Sequence, residues 1–507
     1  MLIAGEWREA SSGLSFDVHE PATGRVLAQV VNGEAEDIDA AVTSARECYE
    51  KTWSNTTARN RGSLLLEASQ HVLSHIEELA ELETKEMGKP LEQSLSYDLA
   101  VTVEILRYFG GLADKVHGDF VSLGYLESHT IPEPFGVVGA IIPFNWPPVS
   151  VAGKAGPALA AGNCVVMKPA EQAPLTVLRL AELLQDVLPP GVINVVPGKG
   201  PSAGAALAGH AGIGKVSFTG STTTGKAVLH SAADNITPAL LELGGKNPLI
   251  IFPDADIDAA VRGAIEGMFF NQGEACTAAS RILVHEAIRD EFMARYCSAV
   301  SALRVGDGME PDTDIGPMVT AEQAARVRSY VEKGLEQGAV VAAQAPLPDS
   351  PSLENGFYVA PLVLDRVEPW MVVATEEIFG PISTVITFRG YEEAIALANG
   401  TEFGLVAAVY SRNLETTQRA SHDIRAGVVM VNNYNRNLLG TPFGGYGHSG
   451  YGREHAMQTI YEYTRTKNVR IPSGNGEPPT WRAVDRVLSR ASRVGRTGPT
   501  DLAHPPR

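Results

Sequence analysis

The sequence predicts an α/β fold, with two sheet-bearing blocks in series and a small β hairpin set within the first. Two observations carry this expectation. From residue 136 onward short apolar runs alternate with helical stretches, and a polar, β-rich stretch breaks the pattern at 118–134. Strands buried on both faces read as continuous apolar runs, and their alternation with helices marks βαβ units around a parallel sheet. At 507 residues the chain is also too long for one ordinary core, so two or three domains are expected.

Taken in order, residues 35–50 and 58–87 read as amphipathic helices, the second ending at Gly88 as a helix C-cap would. The runs GVVGAIIP (136–143), CVVMKP (164–169), GVINVVPG (191–198), KVSFTG (215–220) and PLIIF (248–252) read as strands of a buried sheet. A second alternating block follows, with RILVHE (281–286), VYSRNLE (409–415) and GVVMVN (427–432), and helices between them at about 286–304, 320–338 and 391–399. The stretch GDFVSLGYLESHTIPEP (118–134) suits a hairpin rather than a core strand, and RTKNVRIP (465–472) is its expected partner. After Pro472 the chain turns rich in Gly, Pro and Arg, with one or two amphipathic turns around 481–493, and reads as a mobile or loosely docked tail.

Composition narrows the function classes. Hydrophobic residues make up 44% and charged residues 20%, ordinary values for a globular enzyme and unlike a disordered or fibrous chain. A net charge of −18 excludes the basic footprint of a general nucleic-acid binder. Cys48, Cys164, Cys276 and Cys297 do not make a disulfide framework, and no zinc-like Cys/His spacing is present, so no metal is expected. The start, MLIAGEWREASSG, lacks an export signal, and no apolar run is long enough to span a bilayer. A cytoplasmic protein without membrane partners is expected.

The chemistry centres on two segments. MFFNQGEACTAASR (268–281) sets Cys276 in a small-residue turn after an aromatic-rich run, and LELGGKNP (241–248) offers the carboxylate of Glu242 before two glycines and a lysine. A thiolate that attacks a carbonyl carbon and a carboxylate that activates water are the two parts of covalent acyl chemistry. The alternative is an inert buried cysteine. Further short motifs occur in order at 143–147 (PFNWP), 168–171 (KPAE), 218–225 (FTGSTTTG), 376–381 (EEIFGP) and 442–454 (PFGGYGHSGYGRE). With these motifs the chain resembles the NAD(P)-dependent aldehyde dehydrogenase superfamily over nearly its whole length.

The resemblance implies a Rossmann-like cofactor domain over 1–118 and 135–244, an α/β catalytic domain over 245–444, and a small β oligomerisation arm from 119–134 and 456–472, with 473–507 as the tail. A homodimer or homotetramer is implied. Cys276 would be the nucleophile and Glu242 the general base. The Asn145 amide, with the backbone N–H of Cys276, would stabilise the oxyanion. No histidine adjoins the cysteine, so a lowered thiol pKa is expected from the environment and the bound cofactor.

On the cofactor side, Lys168 and Glu171 would hold the adenine-side ribose. A carboxylate there repels a 2′-phosphate, which favours NAD over NADP. Ser221 would meet a phosphate at a helix start, with Gly220 and Gly225 keeping the turn and helix packing tight. Glu377 would grip the nicotinamide ribose, and Phe379 would pack beside the ring.

For the substrate pocket the resemblance points to Phe144 and Trp146, whose order is exchanged relative to the usual Trp-Asn-Phe, and to Tyr434 and Arg436 on the loop 431–445. An inward Arg436 would pair with a carboxylate-bearing aldehyde, and an outward one is surface. Gly447 stands where lysine is common. Retention of Glu242 favours hydrolysis to a free acid over acyl transfer to coenzyme A, the nearest rival activity. A catalytically silent NAD-binding protein is the other rival.

Overall fold

The strands Val137–Ile141 and Cys164–Lys168 are buried at every residue, which is why their sequences lack polar alternation. With Ile193–Val195, Lys215–Thr219 and Ala239–Glu242 they form a five-stranded parallel core. Val137–Ile141 sits centrally, with Cys164–Lys168 and Ile193–Val195 on one side and Lys215–Thr219 and Ala239–Glu242 on the other. The order of connection therefore reverses beside Val137–Ile141, and in such sheets ligands bind outside the carboxyl ends of the strands at that point. Antiparallel strands Leu2–Ile3 and Gly450–Tyr451 extend the two edges. The structure is a computed structural model and describes residues 1–434, 438–476, 480–481 and 483–494.

The second sheet has seven strands in the order Val340–Gln344, Leu362–Asp365, Ile382–Phe388, Arg281–His285, Pro248–Ile251, Val406–Tyr410 and Val428–Val431. All neighbours run parallel except the first pair. The α/β class is as the alternation predicts, and both sheets lie in one compact unit, Met1–Val116 with Pro134–Arg465.

The helix Pro147–Ala161 lies between the first two parallel strands in sequence. Two prolines open it, where missing N–H groups cost nothing, and every residue except Ser150 is buried. The predicted helix over 58–87 is in fact two, Ala58–Leu73 and Ile76–Met87. The break has a local cause. Ser74 Oγ donates to the His71 carbonyl at 2.6 Å, and such side-chain bonds compete with helical pairing. Gly88 caps the second helix at φ 87°, as expected.

The second compact unit, His117–Glu133 with Thr466–Arg507, carries the hairpin. Phe120–Ser122 pairs antiparallel with Leu126–Pro134, and Thr464–Pro472 lies on the other side of the latter. Ser128 Oγ donates to Asn468 Oδ1 at 2.9 Å, and Lys467 pairs with Glu133. Further on, the one or two turns expected near 481–493 form the helix Val484–Val494.

Candidate active site

Four of the parallel strands deliver functional residues at their carboxyl ends. Val137–Ile141 leads into Phe144, Asn145 and Trp146, Cys164–Lys168 ends on Lys168, Lys215–Thr219 leads to Gly220 and Ser221, and Ala239–Glu242 ends on Glu242. Register places Glu242 beside Thr219 on one side and Gly450 on the other. These ends open into a cavity of about 680 Å³, within the usual range of roughly 300–1,000 Å³ for small-molecule sites. Every sequence-predicted residue among the described ones lines it except Gly225 and Tyr434. Arg436 lies outside the described residues.

Cys276 arrives on an unusual backbone. The helix Ile257–Phe269 is followed by Asn271 at φ 52°, Gln272 at φ 45° and Gly273 at φ 71°, three left-handed residues in succession. Such backbone costs energy in residues with a Cβ and persists only where surroundings hold it. Here Gln93 Oε1 accepts the Asn271 backbone N–H at 2.9 Å. Asn247 Nδ2 donates to the carbonyls of Cys276 and Ala278 at 2.7 and 2.9 Å. The thiol is partly exposed to the cavity. Burial pushes its pKa up, and the charges of Glu377 and Glu242 push the same way. The protein's own groups thus act on balance against the lowering expected from environment and bound cofactor together.

Glu242 is buried, and neither carboxylate oxygen has a hydrogen-bond partner among the described residues. Loss of water and then the nearby charge of Glu454 hold its pKa well above the usual carboxylate range. A Cβ on Gly444 would lie 2.8 Å from Glu242 Oε1, so that glycine leaves the carboxylate its space. Asn145 Nδ2 donates to the Glu274 carbonyl at 2.9 Å, which uses one of its two N–H groups. The indole N–H of Trp146 is also buried without a partner among the described residues.

The remaining lining residues suit a dinucleotide. Lys168 Nζ and Glu171 Oε2 are 3.1 Å apart, placing an ammonium and a carboxylate together beyond one strand end. Ser221 caps the helix Thr222–Ala233, its Oγ accepting from Thr224 N at 3.2 Å, so the free amides and positive dipole end of that helix face the cavity side. Glu377 Oε1 accepts from Gly245 N at 2.9 Å, and burial raises its pKa to about 7. Phe379, at φ 61°, packs edge-on to Phe144 with ring centres 5.7 Å apart. Among the described residues no cluster of His, Cys, Asp and Glu is placed to hold a metal ion.

A model of the aldehyde dehydrogenase family matches residues 7–469. The chain is 44% identical over 486 residues to an aldehyde dehydrogenase of Didymella fabae, spanning 96% of this chain and 98% of that one. It is similar to the crystal structure of PnpE from Pseudomonas sp. WBC-3 with a TM-score of 0.92 and 42% identity, over 95% of this chain and 99% of that one. The NAD⁺ complex of an aldehyde dehydrogenase from Bacillus cereus matches with a TM-score of 0.90 and 41% identity, over 93% and 96% of the two chains. The chain belongs to the aldehyde dehydrogenase family.

In this aldehyde dehydrogenase two predicted residues stand away from the cavity lining. Gly225 packs its helix on Leu243, where an added Cβ would lie 2.7 Å from the side chain. Tyr434 is buried, with its hydroxyl donating to the Thr277 carbonyl and its ring against Gly267. It therefore braces the chain just after Cys276.

Sequence reasoning passed over several residues around the site. Lys154, fully buried in the helix Pro147–Ala161, donates to Glu454 Oε1 at 2.9 Å and to Ser217 Oγ at 3.1 Å. Tyr463 donates to the same Ser217 at 3.0 Å. These bonds join Glu454, Lys154, Ser217 and Tyr463 in one buried polar group, and the charge of Glu454 acts on Glu242. In an apolar helix a single lysine reads as a surface residue, so only the fold reveals it. Asn247 follows Lys246 directly in LELGGKNP, and its place in that motif was the available clue.

Proposed function

We propose that this chain oxidises an aldehyde to the carboxylic acid with NAD as cofactor, through a thiohemiacetal and then a thioester on Cys276, with Glu242 as the base for hydrolysis. The observation that carries the reading is one cavity shared by a thiol, the Asn145 amide and a buried carboxyl whose oxygens have no hydrogen-bond partner among the described residues. A carboxyl so placed is open to a water molecule.

When bound, the oxidised dinucleotide supplies the hydride acceptor and a positive charge in the cavity. Lys168, Glu171, Ser221 and Glu377 are the residues that hold it, and their donor and acceptor set fits ribose hydroxyls and phosphates. Glu171 favours NAD over NADP by repelling a 2′-phosphate. Gly220 and Gly225 keep the adjoining turn and helix close.

The protein's own steps follow. Cys276 gives its proton to water in the cavity and its sulfur bonds to the carbonyl carbon, while the carbonyl π electrons move to the oxygen, an alkoxide facing the second N–H of Asn145 and the Cys276 backbone N–H. Loss of hydride from that carbon leaves the thioester. Glu242 then takes a proton from water, the hydroxide adds to the acyl carbon, and the carbon–sulfur bond breaks to release acid and thiolate. The proton on Glu242 returns to solvent through the cavity, while the charges of Glu454 and Lys154 act on the carboxyl. Because burial holds Glu242 towards its protonated form, deacylation should quicken as pH rises.

In the same reading, the sheet within 1–118 and 135–244 carries the cofactor and the block 245–444 carries the nucleophile. Phe144 and Trp146 shape the aldehyde's entrance. The hairpin arm, with Phe120, Val121 and Leu123 exposed, joins copies of the chain into a dimer or tetramer. Among the described residues no helix is long and apolar enough to cross a membrane, and the free cysteines suit a reducing cytoplasm.

The test is NADH formation with aliphatic, aromatic and carboxylate-bearing aldehydes, each with NAD and with NADP, without coenzyme A. Turnover supports the hydrolytic reading, and a demand for coenzyme A would replace it with acyl transfer. A preference for carboxylate-bearing aldehydes would bring Arg436 into the pocket.

A further inference from the structure

We propose that Asn271 is a positioning residue for the oxyanion site, fixing the Asn145 amide against the Cys276 loop, with Lys89 holding the same peptide from another element. The proposal rests on the reading of Asn145 as oxyanion donor. Asn271 Nδ2 donates to the Asn145 carbonyl and to the Glu274 carbonyl, both at 3.0 Å. Asn145 Nδ2 in turn donates to that same Glu274 carbonyl at 2.9 Å. The three residues close a ring of hydrogen bonds that ties the donor to the backbone two residues before the nucleophile. With one N–H held in the ring, the second N–H of Asn145 has a set direction.

Lys89 completes the clamp. Its ammonium donates to the Asn145 carbonyl at 3.1 Å, and it is paired with Glu83 and Asp98, all three fully buried. Asp98 lies in a π-helical turn, Ser94–Leu99, a distortion often found beside functional sites. Two features show that the fold bears a cost for this arrangement. Asn271 adopts a left-handed backbone, and its Oδ1 is buried with no partner among the described residues. An unpaired buried acceptor calls for an explanation, and the requirement for both N–H groups of Asn271 supplies one.

Asn271→Gly tests the inference, because glycine keeps the left-handed backbone and removes only the side chain. Asn271→Asp, which keeps the shape and loses the donors, serves if the glycine variant does not fold. In the full-length enzyme the account expects kcat to fall about 10²-fold, the scale of one oxyanion donor. The KM for NAD should stay near wild type, since Asn271 does not line the cofactor cavity. Asn145→Ala should lose a similar factor, and the double variant should lose little more than either single one, because both changes remove the same contact. Wild-type kcat in a folded Asn271 variant, or a double variant that loses the product of both factors, would overturn the proposal. Full activity in Asn145→Ala would instead overturn the oxyanion reading, and this inference with it.

Discussion

The strand ends at Lys168 and Ser221 and the loop that carries Cys276 are built in opposite ways. At Lys168 and Ser221 the polar groups are satisfied by near neighbours, Glu171 and Thr224, at regular strand and helix termini. Around Cys276, three successive residues are left-handed, and Glu242, Trp146, Asn271 and Lys246 keep buried polar atoms without partners among the described residues. Binding a dinucleotide needs amides and a dipole that any parallel sheet provides at its carboxyl edge. Reacting groups must instead be held ready for partners that arrive with the substrate, and strain with unpaired atoms is the physical sign of that.

The largest break in this comparison is Cys276→Ala. NADH formation should fall below about 10⁻⁴ of wild type, while NAD binding, followed by calorimetry, persists. Loss of both together would mean that the two regions are not separable.

A pair of one-methyl changes sharpens the contrast. In Gly245→Ala the new Cβ would lie 2.6 Å from the Cys276 carbonyl oxygen, which is backbone, whereas in Gly225→Ala it would meet the end of the Leu243 side chain at 2.7 Å. A side chain can yield where backbone cannot, so Gly245→Ala should cost about 3 kcal/mol of stability and Gly225→Ala about 1 kcal/mol. Denaturant unfolding measures both, and equal costs would deny the difference.

The comparison also predicts a dependence on pH. Burial raises the Glu274 carboxyl from its ordinary 4.5 to about 8, and raises Glu377 and Glu86 to about 7. Each binds its proton more tightly when folded, so stability should decline as pH climbs from about 4.5 to about 8. Glu274→Gln, which resembles the protonated acid, should make that decline shallower in thermal melts. An unchanged slope would remove Glu274 from the account.

Much of this molecule was legible because buried parallel strands have a plain apolar signature. The runs at 137–141, 164–168 and 248–251 are examples. The strand Ile382–Phe388 escaped notice although it joins Arg281–His285 in the sheet, since Ser383, Thr384 and Thr387 blur its apolar run. The helix Pro147–Ala161 was hidden by burial on all sides, which leaves no amphipathic period. Motifs brought Cys276, Glu242 and Asn145 to one cavity, but the environment of each was not legible. Whether surroundings raise or lower a thiol depends on desolvation and on carboxylates distant in sequence, such as Glu377. The place of Tyr434 behind Cys276 depends likewise on packing against Gly267.

The central claim is that Glu242 acts after the thioester has formed, and the most direct measurement is the pre-steady-state NADH signal of Glu242→Gln. The account predicts a rapid burst close to one NADH per site followed by turnover slowed by roughly 10²–10⁴-fold, the range of a general base. Burst and turnover lost in equal measure would contradict it, and would place Glu242 in the step that forms the thioester.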